Sequence, residues 1–549
     1  MNRGPVAAPD GANLVGTRAP RVLIADKLSP AAVQVFKDRG LDVDLKPGLT
    51  PAEQRAIIGE YDGLAIRSAT KVTREMLDAA PRLRVVGRAG IGVDNVDVTS
   101  ATQRGVVVMN TPFGNAITTA EHAIAMMFAL ARQIPEASAS TKAGKWEKNR
   151  FMGVELTGKT LGLIGAGNIG SIVADRANGL RMKVIAYDPF LSDKRAMEIG
   201  AEKVELEEVL TRADFITLHA PLTDRTRNIL SREAIGRMKK GARLINCARG
   251  GLVDEAALYD ALKSGHLAGA ALDVFETEPA TDSPLFTLDN VVCTPHLGAA
   301  TAEAQENVAL QVADQMADFL LTGAVTNAIN MPSVTAEEAP RLRPYMELAR
   351  LLGTMAGQLT AVRMPGETGA IRSIRVEYEG AAAELNRRPV TAAMLAGVLG
   401  PLMGSVNMVN APVIARERGI EVAETVHERS GDHSTLLRVV VETGSFTRTL
   451  AGTLLSDRPR LVEVKGIPID AEFAPNMLYV TNEDRPGFVG RFGTVLAEAS
   501  INIATFHMGR SAAGGEAVCL VAIDTALPDP VMAAVRAIPL VRQATPLAF

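Results

Sequence analysis

Lys159-Thr160-Leu161-Gly162-Leu163-Ile164-Gly165-Ala166-Gly167-Asn168-Ile169-Gly170 is the stretch whose reading decides the fold. Its apolar run reads as a buried strand. It closes in Gly165-x-Gly167-x-x-Gly170, and the apolar spacing Ile169, Ile172, Val173, Ala177 predicts a helix. A second apolar run, Lys183 to Tyr187, ends in Asp188, 18 residues after Gly170. Alone, the three glycines would mark only a tight turn. With a strand before them, a helix after them and an acid at this distance, they predict a dinucleotide site. The glycines let the backbone approach a pyrophosphate, and the helix start offers it unpaired N–H groups. Asp188 accepts hydrogen bonds from a ribose diol and repels a 2′-phosphate, which favours NAD over NADP.

On both sides of this unit short apolar runs alternate with helical stretches. Upstream, Val22–Ala25, Gly63–Arg67, Leu83–Arg88 and Val106–Met109 read as strands. Downstream, Phe215–Leu218, Ala242–Asn246, Ala270–Val274 and Val291–Thr294 do. The alternation predicts doubly wound parallel sheets. Ala116 to Arg132 reads as a long helix, apolar on nearly every face and therefore buried, with His122 a satisfied core histidine. Beyond Met331-Pro332 the texture changes. Helices over about 340–362, 390–399 and 406–418 precede strands, of which Leu436–Val441 and Leu461–Ile469 are the clearest. From Met477 the order strand, helix, strand, strand, helix, strand is ferredoxin-like.

The chain has 549 residues, too many for one compact domain. Its net charge of −4 argues against a nucleic-acid surface dominated by basic residues. Three scattered cysteines make neither a disulfide framework nor a CxxC metal site, and suit a reducing cytoplasm. No apolar run approaches the length of a membrane span. Residues 1–20 lack the apolar core of a signal peptide and read as a disordered extension.

Three side chains stand at consecutive strand ends, where open α/β sheets bind ligands. Arg249 precedes two glycines, Glu278 precedes Pro279, and His296 lies between Pro295 and Gly298. Singly, each reads equally well as a solvated loop residue or surface ion pair. Together they supply a base, its orienting acid and a guanidinium fork for a carboxylate. A hydride leaves the carbinol carbon of a hydroxy acid only as the hydroxyl loses its proton, a task suited to histidine. Cys247 and Cys293 read as small packing residues rather than nucleophiles.

These motifs resemble the D-2-hydroxyacid dehydrogenase family, over Gly165–Gly170, Asn246–Gly251, Asp273–Pro279 and Pro295–Gly298. Arg67–Thr73, Val86–Asp97 and Gly144-Lys145-Trp146 are similar to the branch of that family that acts on 3-phospho-D-glycerate. The resemblance implies an NAD-dependent enzyme oxidising 3-phosphoglycerate to 3-phosphohydroxypyruvate, the first step of phosphorylated serine biosynthesis. It implies that His296 is the acid/base, Glu278 its partner and Arg249 the anchor. It places Arg67, Ser68, Arg88 and Gly90 at the substrate, and Lys148 at its phosphate across a dimer interface. It places the backbone N–H groups of Asn168 and Ile169 at the pyrophosphate, and Ala220, Cys247, Ala248, Asp273, Gly298 and Ala299 beside the cofactor, with Arg249 and His296 also within reach of it. Ile91 and Ala220 stand where relatives often carry hydroxyl residues, which leaves backbone contacts only. The implied architecture is a flavodoxin-like substrate domain over 21–112 and 298–330, a Rossmann domain over 113–297, an α+β intervening domain over 331–474, and a regulatory domain over 475–549. The last resembles an ACT domain, which implies L-serine as an effector at Asp484 and Asn502, with the helix start after Pro486 taking its carboxylate, in a homo-oligomer (dimer or tetramer). Residues 331–549 hold no second catalytic set, and His427 and His433 read as solvated loop residues beside Glu428 and Asp432. Two rival readings stay open: a dehydrogenase for an unphosphorylated hydroxy acid such as a hydroxypyruvate reductase, and a dinucleotide sensor without turnover.

Overall fold

The computed structural model describes residues 18–335, 337–361, 370–403, 405–427 and 433–549. The expected extension therefore falls, up to residue 17, outside the described residues, as do Val362, Glu428 and Asp432.

The first sheet is built from β1 (Arg21–Ile24), β2 (Asp42–Leu45), β3 (Gly63–Ile66), β4 (Val85–Arg88) and β5 (Val107–Met109). All its pairings are parallel, in the order β2-β1-β3-β4-β5, the flavodoxin-like order. The later helix Ala302–Thr322 returns to this sheet. Val312 and Met316 share its core with Val22, Ile24, Val85 and Val107. Gly63 and Gly87 make room for it, since a Cβ on Gly87 would fall 2.2 Å from the Met316 sulfur.

The second sheet holds β6 (Thr160–Ile164), β7 (Lys183–Tyr187), β8 (Glu202–Lys203), β9 (Phe215–Leu218), β10 (Arg243–Asn246), β11 (Gly269–Leu272) and β12 (Val291–Cys293). Its order, β12-β11-β10-β9-β6-β7-β8, is the doubly wound Rossmann arrangement, with the topological switch between β6 and β9. The strands are nearly continuous apolar runs because helices cover both faces. The Ala116–Arg132 helix packs Met126, Met127 and Leu130 on this sheet, yet leaves Ile117 and Phe128 exposed. The expectation that the helix is buried all round fails here, because only one of its faces meets the sheet.

The third sheet comprises β13 (Ile371–Gly380), β14 (Glu421–His427), β15 (Thr435–Thr443), β16 (Thr447–Leu455), β17 (Arg458–Val464) and β18 (Ile467–Glu472), ordered β14-β13-β15-β16-β17-β18. Two helices, Ala339–Ala361 and Arg387–Met403, pack backbone to backbone across Gly353, Gly357 and Gly397. The single strand expected over 461–469 is two strands, turned by Lys465 and Gly466 at φ +53° and +76°. The helix expected from 406 starts only at Ala411. The Asn407 carboxamide accepts from the Val409 and Asn410 amides, and this local alternative competes with a helical first turn.

The last sheet, β19 (Asn476–Glu483), β20 (Ile503–Arg510), β21 (Glu516–Ile523) and β22 (Val541–Ala548), runs β20-β21-β19-β22 and is ferredoxin-like. One face carries Leu478, Val480, Cys519 and Val521 under the helices Phe488–Glu498 and Asp529–Arg536. The other face, Met477, Tyr479, Val518 and Leu520, joins the core of the third sheet and its helices. Among the described residues no helix is long and apolar enough to cross a membrane.

Candidate active site

The glycine loop leaves β6 at the switch point, and its three glycines differ in what they do. Gly165 sits at φ +98°, and a Cβ on it would lie 2.6 Å from the His219 carbonyl. A Cβ on Gly170 would lie 2.2 Å from the Gly165 carbonyl, so this glycine lets helix and loop touch. Gly167 faces open space. It is also the N-cap of the Asn168–Gly179 helix and offers no side chain to the first amides. An open cradle over an uncapped helix start fits a pyrophosphate. Asp188, at the end of β7, accepts from the Ala166 amide at 2.9 Å and the Phe190 amide at 2.8 Å. Each oxygen keeps a second lone pair, so the acid shapes the loop while remaining able to accept from a diol. The residues therefore fit the dinucleotide that the sequence predicts.

His296 follows β12 at φ +54°, a conformation rarely taken by a non-glycine residue. It is held there by Asp273, which is fully buried beyond β11. The Asp273 carbonyl accepts from the His296 amide at 2.9 Å. Its carboxylate accepts from the Leu297 amide (2.6 Å), the Gly298 amide (2.8 Å) and the Thr294 hydroxyl (2.6 Å). Burial pushes the Asp273 pKa up. His122, Thr294 and the Leu297 amide outweigh it and hold the carboxyl below its usual value. Asp273 thus orders the loop around His296, a role the sequence reading did not give it beside its cofactor contact. His122 does have a partner, as expected of a core histidine, and that partner is Asp273 at 3.2 Å.

Glu278 completes the pair. Its Oε2 accepts from His296 Nδ1 at 2.7 Å, and its Oε1 accepts from the Phe275 amide at 3.1 Å. With Nδ1 so engaged, Nε2 is the nitrogen left to exchange a proton. Arg249 follows β10 on a turn shaped by Asn246, whose side chain bonds the Ala248 amide and the Arg249 carbonyl. Gly250 allows this turn to lie against the loop of Glu278, since a Cβ there would fall 1.8 Å from the Phe275 carbonyl.

The opposite wall comes from the first sheet. Arg67 is placed by its amide, which donates to Asp26 at 2.6 Å, and Ser68 is exposed beside it. Arg88 ends β4 with a buried Nε that has no hydrogen-bond partner. Burial, then repulsion from Arg249 and Arg67, pushes its pKa down to about 10 against the attraction of Asp94 and Asp26. Gly90, at φ +146°, accommodates this side chain: a Cβ on it would meet Arg88 Nη1. Its amide donates to Thr111 at 2.6 Å. A half-buried guanidinium whose Nε is bare, near two others, suits an anion with several oxygens.

The other expected residues differ in burial. Cys247 is buried, and burial raises its thiol pKa beyond the reach of nucleophilic chemistry. Ala220 and Ala299 are half-buried, and Gly298 is buried. Lys148 is exposed. Asp484 and Asn502 are not brought together within one chain. Asp484 bonds Arg510 and the Gly514 amide, whereas Asn502 bonds Asp524. Because β19 and β20 are parallel with β21 between them, the two residues sit at opposite ends of the sheet, roughly 30 Å apart. His427 lies on an open sheet face beside Glu377 and Glu379. The sequence reading missed Asp94, which bonds Arg249 across the cleft. It stands within the Val86–Asp97 motif, but nothing local marks its partner.

Comparison with known proteins bears on the family and the domains. Residues 124–298 match the family model of the D-isomer specific 2-hydroxyacid dehydrogenase NAD-binding domain. Residues 341–465 match the D-3-phosphoglycerate dehydrogenase intervening domain, and residues 476–540 an ACT domain. The D-3-phosphoglycerate dehydrogenase of Synechocystis is 42% identical over 95% of this chain and 94% of its own length. That of Bacillus subtilis is 41% identical over 94% of this chain and 98% of its own. Among solved structures, a D-lactate dehydrogenase from Aquifex aeolicus, complexed with NAD and lactic acid, superposes with a TM-score of 0.51 at 28% identity. It covers 57% of this chain and 100% of its own. The Thermus thermophilus protein TT0316 gives 0.52 at 37% identity, over 56% and 99%. By extent of identity and by domain content, the chain belongs to the D-3-phosphoglycerate dehydrogenase family.

Proposed function

We propose that the chain oxidises 3-phospho-D-glycerate to 3-phosphohydroxypyruvate with NAD, the first step of phosphorylated L-serine biosynthesis. The observation that carries this reading is the 2.7 Å pair of His296 and Glu278, on the same cleft as the glycine loop and as Arg88, whose buried Nε is bare. NAD, when bound, supplies the hydride acceptor. Gly167 with the Asn168 and Ile169 amides holds the pyrophosphate, and Asp188 the adenosine ribose. His296 Nε2 takes the hydroxyl proton while Glu278 fixes the tautomer and offsets the imidazolium charge. Arg249 grips the carboxylate and adjacent oxygen. Arg67 and Arg88, with Ser68 and Gly90, hold the phosphate end.

The test is steady-state turnover, followed by NADH absorbance, with 3-phosphoglycerate against D-glycerate. A preference for the phosphorylated acid is expected. Equal kcat/KM for the two would refute the phosphate assignment in favour of a general hydroxyacid dehydrogenase. NAD binding without turnover of either would leave the sensor reading.

The same proposal includes a homo-oligomer. Phe113, Ile117, Phe128, Ile134, Trp146 and Met152 are exposed on and around the Ala116–Arg132 helix and the segment after it, an apolar surface suited to a second copy. It would also carry Lys148 toward a partner's cleft. L-serine is the proposed effector of the ACT domain. Since Asp484 and Asn502 lie far apart in one chain, the effector site takes residues from two copies, paired through the edge strand β20. Serine titration of wild type and Asn502→Ala reads this: no binding and no change in rate would refute it. Three free cysteines suit a cytoplasmic setting.

A further inference from the structure

We propose that Asp94 is a positioning residue for the reaction: it reaches across the cleft and orients the Arg249 guanidinium, so that its Nη2 edge meets the substrate carboxylate. The inference rests on Arg249 being the carboxylate anchor. Arg249 belongs to the turn after β10, whereas Asp94 belongs to the loop after β4 in the other parallel sheet. Arg249 Nε donates to Asp94 Oδ2 at 3.0 Å, and Nη1 donates to the Ala248 carbonyl at 2.6 Å. Two bonds at separate corners of a planar fork fix both its position and its rotation. Nη2 has no hydrogen-bond partner among the described residues.

Gly92 shows that the loop is shaped for this guest. A Cβ on it would fall 1.8 Å from Nη2 and 2.8 Å from Asp94 Oδ2. Its φ is not positive, so the glycine is needed here for space rather than for backbone conformation. The guanidinium therefore lies against the backbone of the opposite wall. The pair forms only when the two walls are this close, which ties the orientation of Arg249 to the closed cleft.

Asp94 also answers an electrostatic problem. Arg67 and Arg249 both repel Arg88 in this pocket, and Asp94 is one of two acids that oppose the repulsion. Without it, the long Arg249 side chain would be drawn toward solvent and would have to be re-ordered by each incoming carboxylate. Removing a negative charge beside an arginine would by itself tighten anion binding, so orientation and charge make opposite forecasts.

The experiment uses the full chain, with tartronate (hydroxymalonate) as a non-reacting carboxylate. Its binding to the enzyme–NADH complex is read by NADH fluorescence, alongside 3-phosphoglycerate kinetics and NADH affinity. Asp94→Ala is expected to weaken tartronate binding and kcat/KM by about tenfold, with NADH affinity unchanged. Asp94→Asn keeps an acceptor for Nε, and is expected within about threefold of wild type. In an Arg249→Lys background, Asp94→Ala should add less than about a twofold loss. Tartronate binding to Asp94→Ala as tight as to wild type, or tighter, would overturn the proposal. So would an Asp94→Ala loss that persists undiminished in the Arg249→Lys background, or a wild type that does not bind tartronate. A wild type that binds tartronate in this Asp94-dependent way yet does not oxidise 3-phosphoglycerate would refute the substrate assignment and leave the role of Asp94 standing.

Discussion

Replacing Glu278 by glutamine tests the proton-transfer pair with almost no change of shape. In the native site one carboxylate oxygen accepts from His296 Nδ1 at 2.7 Å and the other from the Phe275 amide at 3.1 Å. Glutamine offers one acceptor and one donor to these two donors. With its oxygen toward Nδ1, its NH2 opposes the Phe275 N–H. Turned over, its NH2 faces Nδ1 and selects the tautomer protonated at Nε2, which cannot accept the substrate proton. In both arrangements the imidazolium forms without a counter-charge. A hydrogen bond to a charged group contributes about 1.5–3 kcal/mol. His296 is 51% exposed and Glu278 35%, so screening places the loss near the lower end, about 1.5 kcal/mol, or tenfold in rate. Mis-set tautomers extend this to a fall in kcat on the order of 10–10². The assay is steady-state NADH production from 3-phosphoglycerate at saturating NAD, with NAD affinity measured separately. NAD affinity is expected to be unchanged, because Glu278 touches only the histidine and its own loop. A glutamine variant within threefold of wild-type kcat would refute the assigned partnership.

Three further outcomes are expected. Gly170→Ala should lower the melting temperature, because its Cβ meets the Gly165 carbonyl, at a cost of about 1–3 kcal/mol. Gly167→Ala should leave melting unchanged and weaken NAD, since its Cβ enters only the open cradle; equal effects on both would contradict the division of labour in the loop. Asp188→Ala should raise the ratio of NADP to NAD kcat/KM. It should also cost about 1 kcal/mol of stability, by orphaning the Ala166 and Phe190 amides; calorimetry and kinetics separate the two effects, and an unchanged cofactor ratio would remove the ribose role. Burial pushes the His219 pKa down to about 4, so the unfolded chain takes this proton first as pH falls from about 6.5. The stability that neutral His219 contributes is therefore present above that value and lost toward pH 4. By pH 5 the loss is about 2 kcal/mol, and His219→Gln should flatten the pH dependence of denaturant midpoints; the same slope in both proteins would refute it.

What the sequence by itself determined is local. Strand, glycine turn, helix and acid are consecutive, so their reading as a dinucleotide unit needs no knowledge of distant contacts. Likewise His296, Glu278 and Arg249 are each legible as a side chain just past a strand, and the alternation of apolar runs dictates parallel sheets that gather such ends on one side. The apolar run over 461–469 reads as a single strand because the turn at Lys465 and Gly466 interrupts it with little polar punctuation. The helix start near 406 is displaced because the Asn407 side chain accepts from the Val409 and Asn410 amides and donates to the carbonyl of Gly105 instead. Tertiary structure alone decided the geometry in which Glu278 meets His296, and that Asp484 and Asn502 lie at opposite ends of one sheet. It also decided the pairing of Asp94 with Arg249, 155 residues later, and of His122 with a buried Asp273. Such pairs depend on strand order and on how closely two sheets approach across a cleft. Those are set by packing between distant segments, and no periodicity or spacing along the chain encodes them.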